Sequence, residues 1–238
     1  MQQVPYGIIG AGPMAQHFTY YLSLVNINCI QWSRSQPYHE LQELIQRSDR
    51  ILLLISDKAI IPFIENNLSL TKKNLIHFSG CLHTPLAIGI HPLFTFGPDF
   101  YGLETYQKIP FILEDKTNTF NQLLPGLVNP YYSISIDQKP LYHSLCVLSG
   151  NFTILLWQKF FKELEETLHI PASAGLGYMQ QIFHNLMQDS NSALTGPLAR
   201  NDEITIKANI DALESDPYQS VYQAFVNAFY GEKKNECS

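Results

Sequence analysis

YGIIGAGPMAQHF, residues Tyr6 to Phe18, sets Gly10, Gly12 and Ala15 at the spacing GxGxxA close to the amino terminus. Alone the spacing says little, because three small residues in a six-residue window also occur at ordinary turns. Context gives it weight. YGII reads as a buried strand, Pro13 suits the first position of a helix, and INCIQW supplies a second strand ending at Trp32. In that setting Gly10 permits a tight turn, Gly12 lets the backbone approach a pyrophosphate, and Ala15 lets the helix pack close to the sheet. The free N–H groups of a helix opening at Pro13 and Met14 would attract the anion.

Where the second strand ends, an NAD site would carry Asp or Glu to accept from the ribose 2′-hydroxyl, but this chain reads Ser33-Arg34-Ser35. A guanidinium flanked by hydroxyls cannot accept that bond and can pair with a 2′-phosphate, so the residues favour NADP(H). The other reading of Arg34 is an ordinary solvated side chain. A second GxG, in AGLGYMQ at Ala174–Gln180, follows a proline-containing loop rather than a strand and reads as a helix-start turn.

Further along, apolar runs alternate with amphipathic stretches: VPYGII, Pro13–Leu24, INCIQW, Tyr38–Gln46, RILLLI, a helix over 58–68, then NLIHFS, AIGIH and PFILE. A helix over Thr117–Leu127 and a strand YYSISI follow. Ile- and Leu-rich runs without polar alternation suit parallel strands covered on both faces. The expected fold is α/β, a doubly wound, mostly parallel Rossmann-type sheet over residues 1–138. Beyond Asp137-Gln138-Lys139-Pro140 only helical periodicity remains, so residues 139–238 are expected to form an all-helical domain. Its helices are expected at Leu141–Leu168, about 28 residues or roughly 40 Å, Tyr178–Asp189, Asp202–Leu213 and Pro217–Phe229, before a frayed GEKKNECS tail.

Composition narrows the function classes. The 238 residues carry 15 Lys and Arg against 21 Asp and Glu, a formal charge of −6, with the basic residues scattered, so no nucleic-acid footprint appears. The longest apolar runs, such as ILLLI, fall far short of a bilayer span, and no secretory leader is evident, so a cytoplasmic, membrane-free protein is expected. Cys29, Cys81, Cys146 and Cys237 are widely spaced, as reduced thiols are.

In a doubly wound sheet, ligands bind beyond the carboxyl ends of the strands. Ser56 and Ser79 lie there and suit the cofactor's ribose or nicotinamide side, or else cap the next helix. His91, ending a strand before Pro92, can reach the nicotinamide edge or serve as a hydrogen-bonded structural histidine. On the first helix of the second domain, His143, Val147 and Asn151 follow at i, i+4 and i+8. His143 is the leading candidate proton donor and Asn151 a substrate anchor, against the alternative of a core hydrogen-bonded pair. Thr195 and Arg200 in ALTGPLARND could hold a substrate, Arg200 clamping a carboxylate, or could simply pin the loop. His77, Cys81 and His83 match no standard zinc spacing, so no metal is expected. No P-loop, GxSxG elbow or HExxH motif occurs. The aromatic residues around Trp157, Phe160 and Phe161 read as core or dimer packing.

Together IIGAGPMA, HFSG (His77–Gly80), GIHPLFTF (Gly89–Phe96), YHSLCVLSGN (Tyr142–Asn151) and ALTGPLARND (Ala193–Asp202) resemble the Rossmann-like family named for domain of unknown function 2520. The N-terminal half is similar to pyrroline-5-carboxylate reductase and related NADP-dependent reductases. The resemblance implies an all-helical second domain like that of 6-phosphogluconate dehydrogenase, often used for dimerisation, and so a homodimer. The expected function is an NADP(H)-dependent oxidoreductase moving a hydride to or from a small carbonyl, imine or hydroxy-acid substrate held between the domains. The alternative is a non-catalytic dinucleotide-binding sensor or scaffold.

Overall fold

The computed structural model describes residues 4–68, 73–114 and 116–236. Among them the chain forms two compact units, Met1–Leu155 and Leu156–Ser238. The first holds a seven-stranded sheet of β1 (Tyr6–Ile9), β2 (Cys29–Trp32), β3 (Arg50–Leu53), β4 (Asn74–His77), β5 (Ile88–Pro92), β6 (Phe111–Leu113) and β7 (Tyr131–Ser133). Their order is β2-β1-β3-β4-β5-β6-β7. The strands from β2 to β5 are parallel, β6 runs antiparallel to β5, and β7 follows β6 in parallel. This is the expected doubly wound, mostly parallel sheet.

The central strands β1, β3 and β4 feed two cores. Ile8, Leu52, Ile76 and Ile90 point to one face, where they meet Phe18, Tyr21 and Leu22 of α1 (Pro13–Leu24), together with Tyr106 of α4 (Leu103–Lys108) and Phe120 of α5 (Phe120–Leu123). Ile9, Ile51, Leu53 and Leu75 point to the other, against Leu41 and Leu44 of α2 (Tyr38–Arg47) and Ile60 and Ile64 of α3 (Asp57–Asn67). Burial of alternate residues on opposite faces is why these strands show apolar runs without polar alternation.

Two expectations need correction. The helix expected over Thr117–Leu127 contracts to α5, because Thr119 and Gln122 form a capping box at its start while Pro125 and Gly126, at φ 95°, end it. The long helix expected from Leu141 starts at Lys139 and is not uniformly α: α6 (Lys139–Cys146) runs into a π turn over Val147–Phe152, then α7 (Thr153–Glu166). Ser149 hydrogen-bonds back to the Leu145 carbonyl at 2.8 Å beside Gly150, and this competition with the backbone ladder accompanies the widened turn.

The second unit is helical throughout its described residues. After α7 come α8 (Leu176–Gln188), α9 (Pro197–Arg200), α10 (Glu203–Ala212) and α11 (Tyr218–Glu236). The last helix continues past the expected end at Phe229 into the GEKKNECS stretch, of which Cys237 and Ser238 lie outside the described residues. The Trp157 ring contacts those of Phe160, Phe161, Tyr178 and Phe183, and a Cβ on Gly175 would come within 3 Å of Phe160 and Phe161. Among the described residues no helix is long and apolar enough to cross a membrane.

Gly10 is the tightest point of the first unit. Its φ is 132°, and an added Cβ would sit 2.1 Å from the Leu54 carbonyl oxygen. Both the strained φ and the backbone clash predict that Gly10→Ala destabilises the protein by about 3 kcal/mol or more. Urea denaturation of wild type and variant measures this, and equal midpoints would contradict it.

Candidate functional site

The strand order reverses between β1 and β3: β2 lies beyond β1, and β4 beyond β3. The chain leaving β1 enters α1 on one face, while that leaving β3 enters α3 on the other, so a crevice opens between them. Its volume is about 840 Å³. The Gly10–Met14 turn, the Ser33–Ser35 turn, Ile55 and Ser56 after β3, and Ala59, Phe63 and Asn67 of α3 line it.

The glycine turn is braced from below. Gly10 N–H donates to the Trp32 carbonyl at 2.9 Å, and Gln31 Nε2 donates to the Gly10 carbonyl at 2.8 Å. Ala15 is fully buried beneath α1. Gly12 differs from Gly10, since a Cβ there would meet no protein atom within 4 Å. Packing therefore does not demand the glycine, and the open cradle fits a ligand group brought against the backbone. Pro13 opens α1, and helix geometry leaves the Met14 and Ala15 N–H groups without partners in their own helix.

Across the crevice, the Ser33 and Ser35 hydroxyls bond each other at 2.8 Å and Gln36 Oε1 accepts from Ser33 N–H at 2.8 Å, which holds the turn that presents Arg34. Arg34 is exposed and, among the described residues, makes no ion pair. No acidic residue lines the crevice among the described residues. Ser56 occupies the N-cap position of α3 without making a side-chain cap bond and lines the crevice instead. These residues fit a dinucleotide. Ser79 is used differently: buried, it donates to Asp57 Oδ2 at 2.6 Å and accepts from the N–H groups of Leu82 and Cys81 at 2.9 and 3.3 Å. It does not line the crevice.

A second polar group forms at the carboxyl ends of β4 and β5. His91 Nδ1 and the Tyr142 hydroxyl share a 2.7 Å hydrogen bond, and the His91 and His143 rings stand edge to face with centroids 5.9 Å apart. Gly80 fits between them, since a Cβ there would lie 2.5 Å from His143 Nδ1 and 3.2 Å from His91 Nε2. His143 Nδ1 is buried and has no hydrogen-bond partner among the described residues. Burial first, then the neighbouring His143 and Lys139, lower the His91 pKa to about 4. Burial likewise lowers His77, at the end of β4, to about 4; its Nδ1 accepts from Ser79 N–H at 3.3 Å.

The structure thus joins His91 and His143 in one cluster and the glycine, Arg34 and Ser56 positions in one crevice. Asn151 is exposed on the π turn, within the first unit. Thr195 and Arg200 belong to the second unit, both exposed, near Asp202, whose carboxylate caps α10 through Thr205 N–H at 3.1 Å. Among the described residues no three His, Cys, Asp or Glu side chains are grouped to hold a metal. Sequence reasoning passed over Gln31, Tyr142 and the buried pair Glu114–Lys139, whereas Gly80 stood at an expected strand end within HFSG. Tyr142 lay inside YHSLCVLSGN, and Lys139 at the expected domain boundary.

No protein of curated function matches the chain. Among solved structures, a Bacteroides fragilis protein provisionally named an NADP oxidoreductase superposes with a TM-score of 0.77 at 18% identity, covering 96% of this chain and 98% of that one. Plasmodium falciparum pyrroline carboxylate reductase with NADP bound gives 0.57 at 14% identity with 100% of both chains covered. An Aspergillus terreus reductive aminase in complex with NADPH and ethyl levulinate gives 0.61 at 14%, covering 98% and 95%. These likenesses establish a shared fold. Residues 110–229, half of the chain and including Tyr142–Asn151 and Ala193–Asp202, match the family model described as domain of unknown function DUF2520, and the chain belongs to that family.

Proposed function

We propose that the protein is an NADP(H)-dependent oxidoreductase acting on a small carbonyl, imine or hydroxy-acid substrate. The observation that carries this is one sheet edge bearing two complementary sites. A crevice with an open glycine cradle and an unpaired Arg34 stands at β1–β3, and an imidazole pair at β5. His91 stands three strand steps from β1, about 14 Å at the usual strand spacing.

Residues Gly10, Gly12, Met14 and Ala15 would hold the pyrophosphate, Arg34 with Ser33 and Ser35 the 2′-phosphate, and Ser56 a ribose. When bound, the dinucleotide supplies or accepts the hydride. Reduction of C=O or C=N also requires one proton at the heteroatom, and the two imidazoles divide that work. His91, with a pKa near 4, is neutral at pH 7 and serves as a hydrogen-bonding partner. His143, whose Nδ1 faces the gap at Gly80, is the proton donor, or the acceptor in the reverse direction. Asn151 would orient the substrate. The pyrroline carboxylate and reductive amination chemistry of the fold's other members supports a carbonyl or imine as the reacting group. The described cysteines Cys29, Cys81 and Cys146 are unpaired thiols, which supports a cytoplasmic setting.

Dimerisation belongs to the same proposal. No residue of α8 is buried, and Leu176, Tyr178, Ile182, Phe183, Leu186 and Met187 are 38–76% exposed. So continuous an apolar face calls for a cover, and a second copy of the chain supplies one.

Three measurements test this. Arg34→Ala is expected to weaken NADPH binding 10- to 100-fold, the loss of one charge-assisted contact, while leaving NADH affinity within about two-fold; an unchanged ratio refutes the cofactor assignment. Absorbance at the reduced nicotinamide band, across a panel of keto acids, imines and hydroxy acids, is expected to reveal turnover that His143→Gln lowers about 100-fold or more. NADPH binding without turnover of any panel member would favour the sensor or scaffold reading instead. In sedimentation equilibrium the protein is expected as a dimer and Ile182→Glu/Leu186→Glu as a monomer; a monomeric wild type overturns the α8 interface.

A further inference from the structure

Helix α6 carries Tyr142 and His143, yet its one buried residue is a lysine. Lys139, Tyr142 and His143 fall at i, i+3 and i+4 and so share a helix face. Lys139 Nζ donates to Glu114 Oε2 at 2.7 Å and to the Leu82 carbonyl, while Glu114 Oε1 accepts from Gly89 N–H at 2.8 Å. The two side chains are only 4% and 6% exposed, and His83 Nδ1 stands 3.4 Å from the same carboxylate oxygen. Gly89 leaves room for the pair, because a Cβ there would lie 2.5 Å from Glu114 Oε2 and 2.6 Å from Lys139 Nζ. Although burial pushes the Glu114 carboxyl up, the hydrogen bonds from Lys139 and Gly89 N–H outweigh it and keep the group ionised.

A buried ion pair is a poor way to gain stability, since two well-packed apolar side chains of the same volume would hold a helix at least as firmly. What the pair adds is direction. An ammonium aimed at one carboxylate oxygen and one carbonyl admits a single rotation and height of α6. At that setting Tyr142 meets His91, and His143 meets Gly80.

We propose that Glu114 and Lys139 are positioning residues of the reaction centre, a buried clamp that holds α6 so that Tyr142 and His143 converge on His91. This rests on the reading that the two imidazoles serve the substrate. The test needs no substrate, so a failed clamp and a failed reductase reading are separate results.

The apolar exchange Glu114→Leu/Lys139→Met removes both charges together, and imidazole NMR of the full chain follows His91 from pH 8 to pH 4. His91 faces Tyr142 and His143 from α6 and Gly80 from the loop after β4, with the charges of Lys139 and Asp57 nearby. In wild type it stays neutral until about pH 4. Burial is the leading cause and the Lys139 charge comes only third, so losing that charge alone leaves His91 well depressed. Release of α6 instead returns its midpoint to about 6.5, with the variant still folded and its NADPH affinity unchanged. A folded variant whose His91 still titrates near pH 4 overturns the clamp. So does a variant that fails to fold, since that outcome reduces the pair to plain stability. Lys139→Arg, which keeps the charge and the donors, is expected to retain the low midpoint, and release in this variant would also count against the proposal.

Discussion

The approach of Gly10 to the Leu54 carbonyl is the constraint on which the first unit depends. The ends of β1 and β3 run side by side, joined by the 2.8 Å bond from Leu54 N–H to the Ile9 carbonyl. A residue with a side chain at position 10 would have to push them apart. With glycine there, the chain turns off the sheet immediately and α1 starts two residues after Ala11. The following helix is then close enough to bury Ala15 completely, and its amino terminus faces the crevice. That same helix carries His17, whose ring nitrogens bond the Tyr106 hydroxyl at 2.7 Å and the Gly97 carbonyl at 2.8 Å amid Phe96, Phe100 and Tyr101. One helix therefore opens at the crevice with its first turn and, one turn on, ties down the segment that follows His91.

The two polar regions are built on opposite principles. In the crevice, polar groups are exposed and unused, as Arg34 and Ser56 are, because a ligand and water are their natural partners. Around β4 and β5 they are buried and committed: Ser79 makes three hydrogen bonds, Glu114 binds both Lys139 and Gly89 N–H, and His91 is bonded to Tyr142. A low-dielectric setting makes each satisfied bond rigid and each orphan costly. His143 Nδ1 and His77 Nε2 are the orphans among these groups. The contrast is between an open, solvated set of polar groups and one whose orientations are fixed by burial and hydrogen bonding.

Legibility in the sequence followed the distance between partners. The β1–α1–β2 unit could be read because its glycines, Pro13 and Arg34 act within about thirty residues and each answers to local backbone geometry. Ser79 was placed at the right strand end, but whether its hydroxyl faced the ligand depended on Asp57, 22 residues away. Lys139 read only as the start of the second domain, because its carboxylate lies 25 residues back and its carbonyl partner 57. The π turn escaped notice for a different reason. Apolar periodicity cannot register one widened turn, and Ser149 and Gly150 marked it only as local weakness in a helix. Gly80 could be placed at a strand end, but the need for glycine there and at position 89 comes from side chains arriving from elsewhere.

The second unit shows what periodicity does and does not encode. Ile182, Phe183, Leu186 and Met187 fall in the helix expected over Tyr178–Asp189, which forms as α8 from Leu176, yet in the folded chain none of α8 is buried. An amphipathic stripe records that a face is meant to be covered; it carries no information on whether the cover comes from the same chain. Trp157, Phe160 and Phe161 illustrate the other outcome on the preceding helix, since they find partners within the unit itself, with Gly175 admitting the two phenylalanine rings. The unit thus carries an aromatic cluster, to which Tyr178 and Phe183 of α8 belong, beside Leu176, Ile182, Leu186 and Met187, which stay exposed. The open face is what the proposed pairing of two copies would cover, and two-fold symmetry would make every such contact count twice.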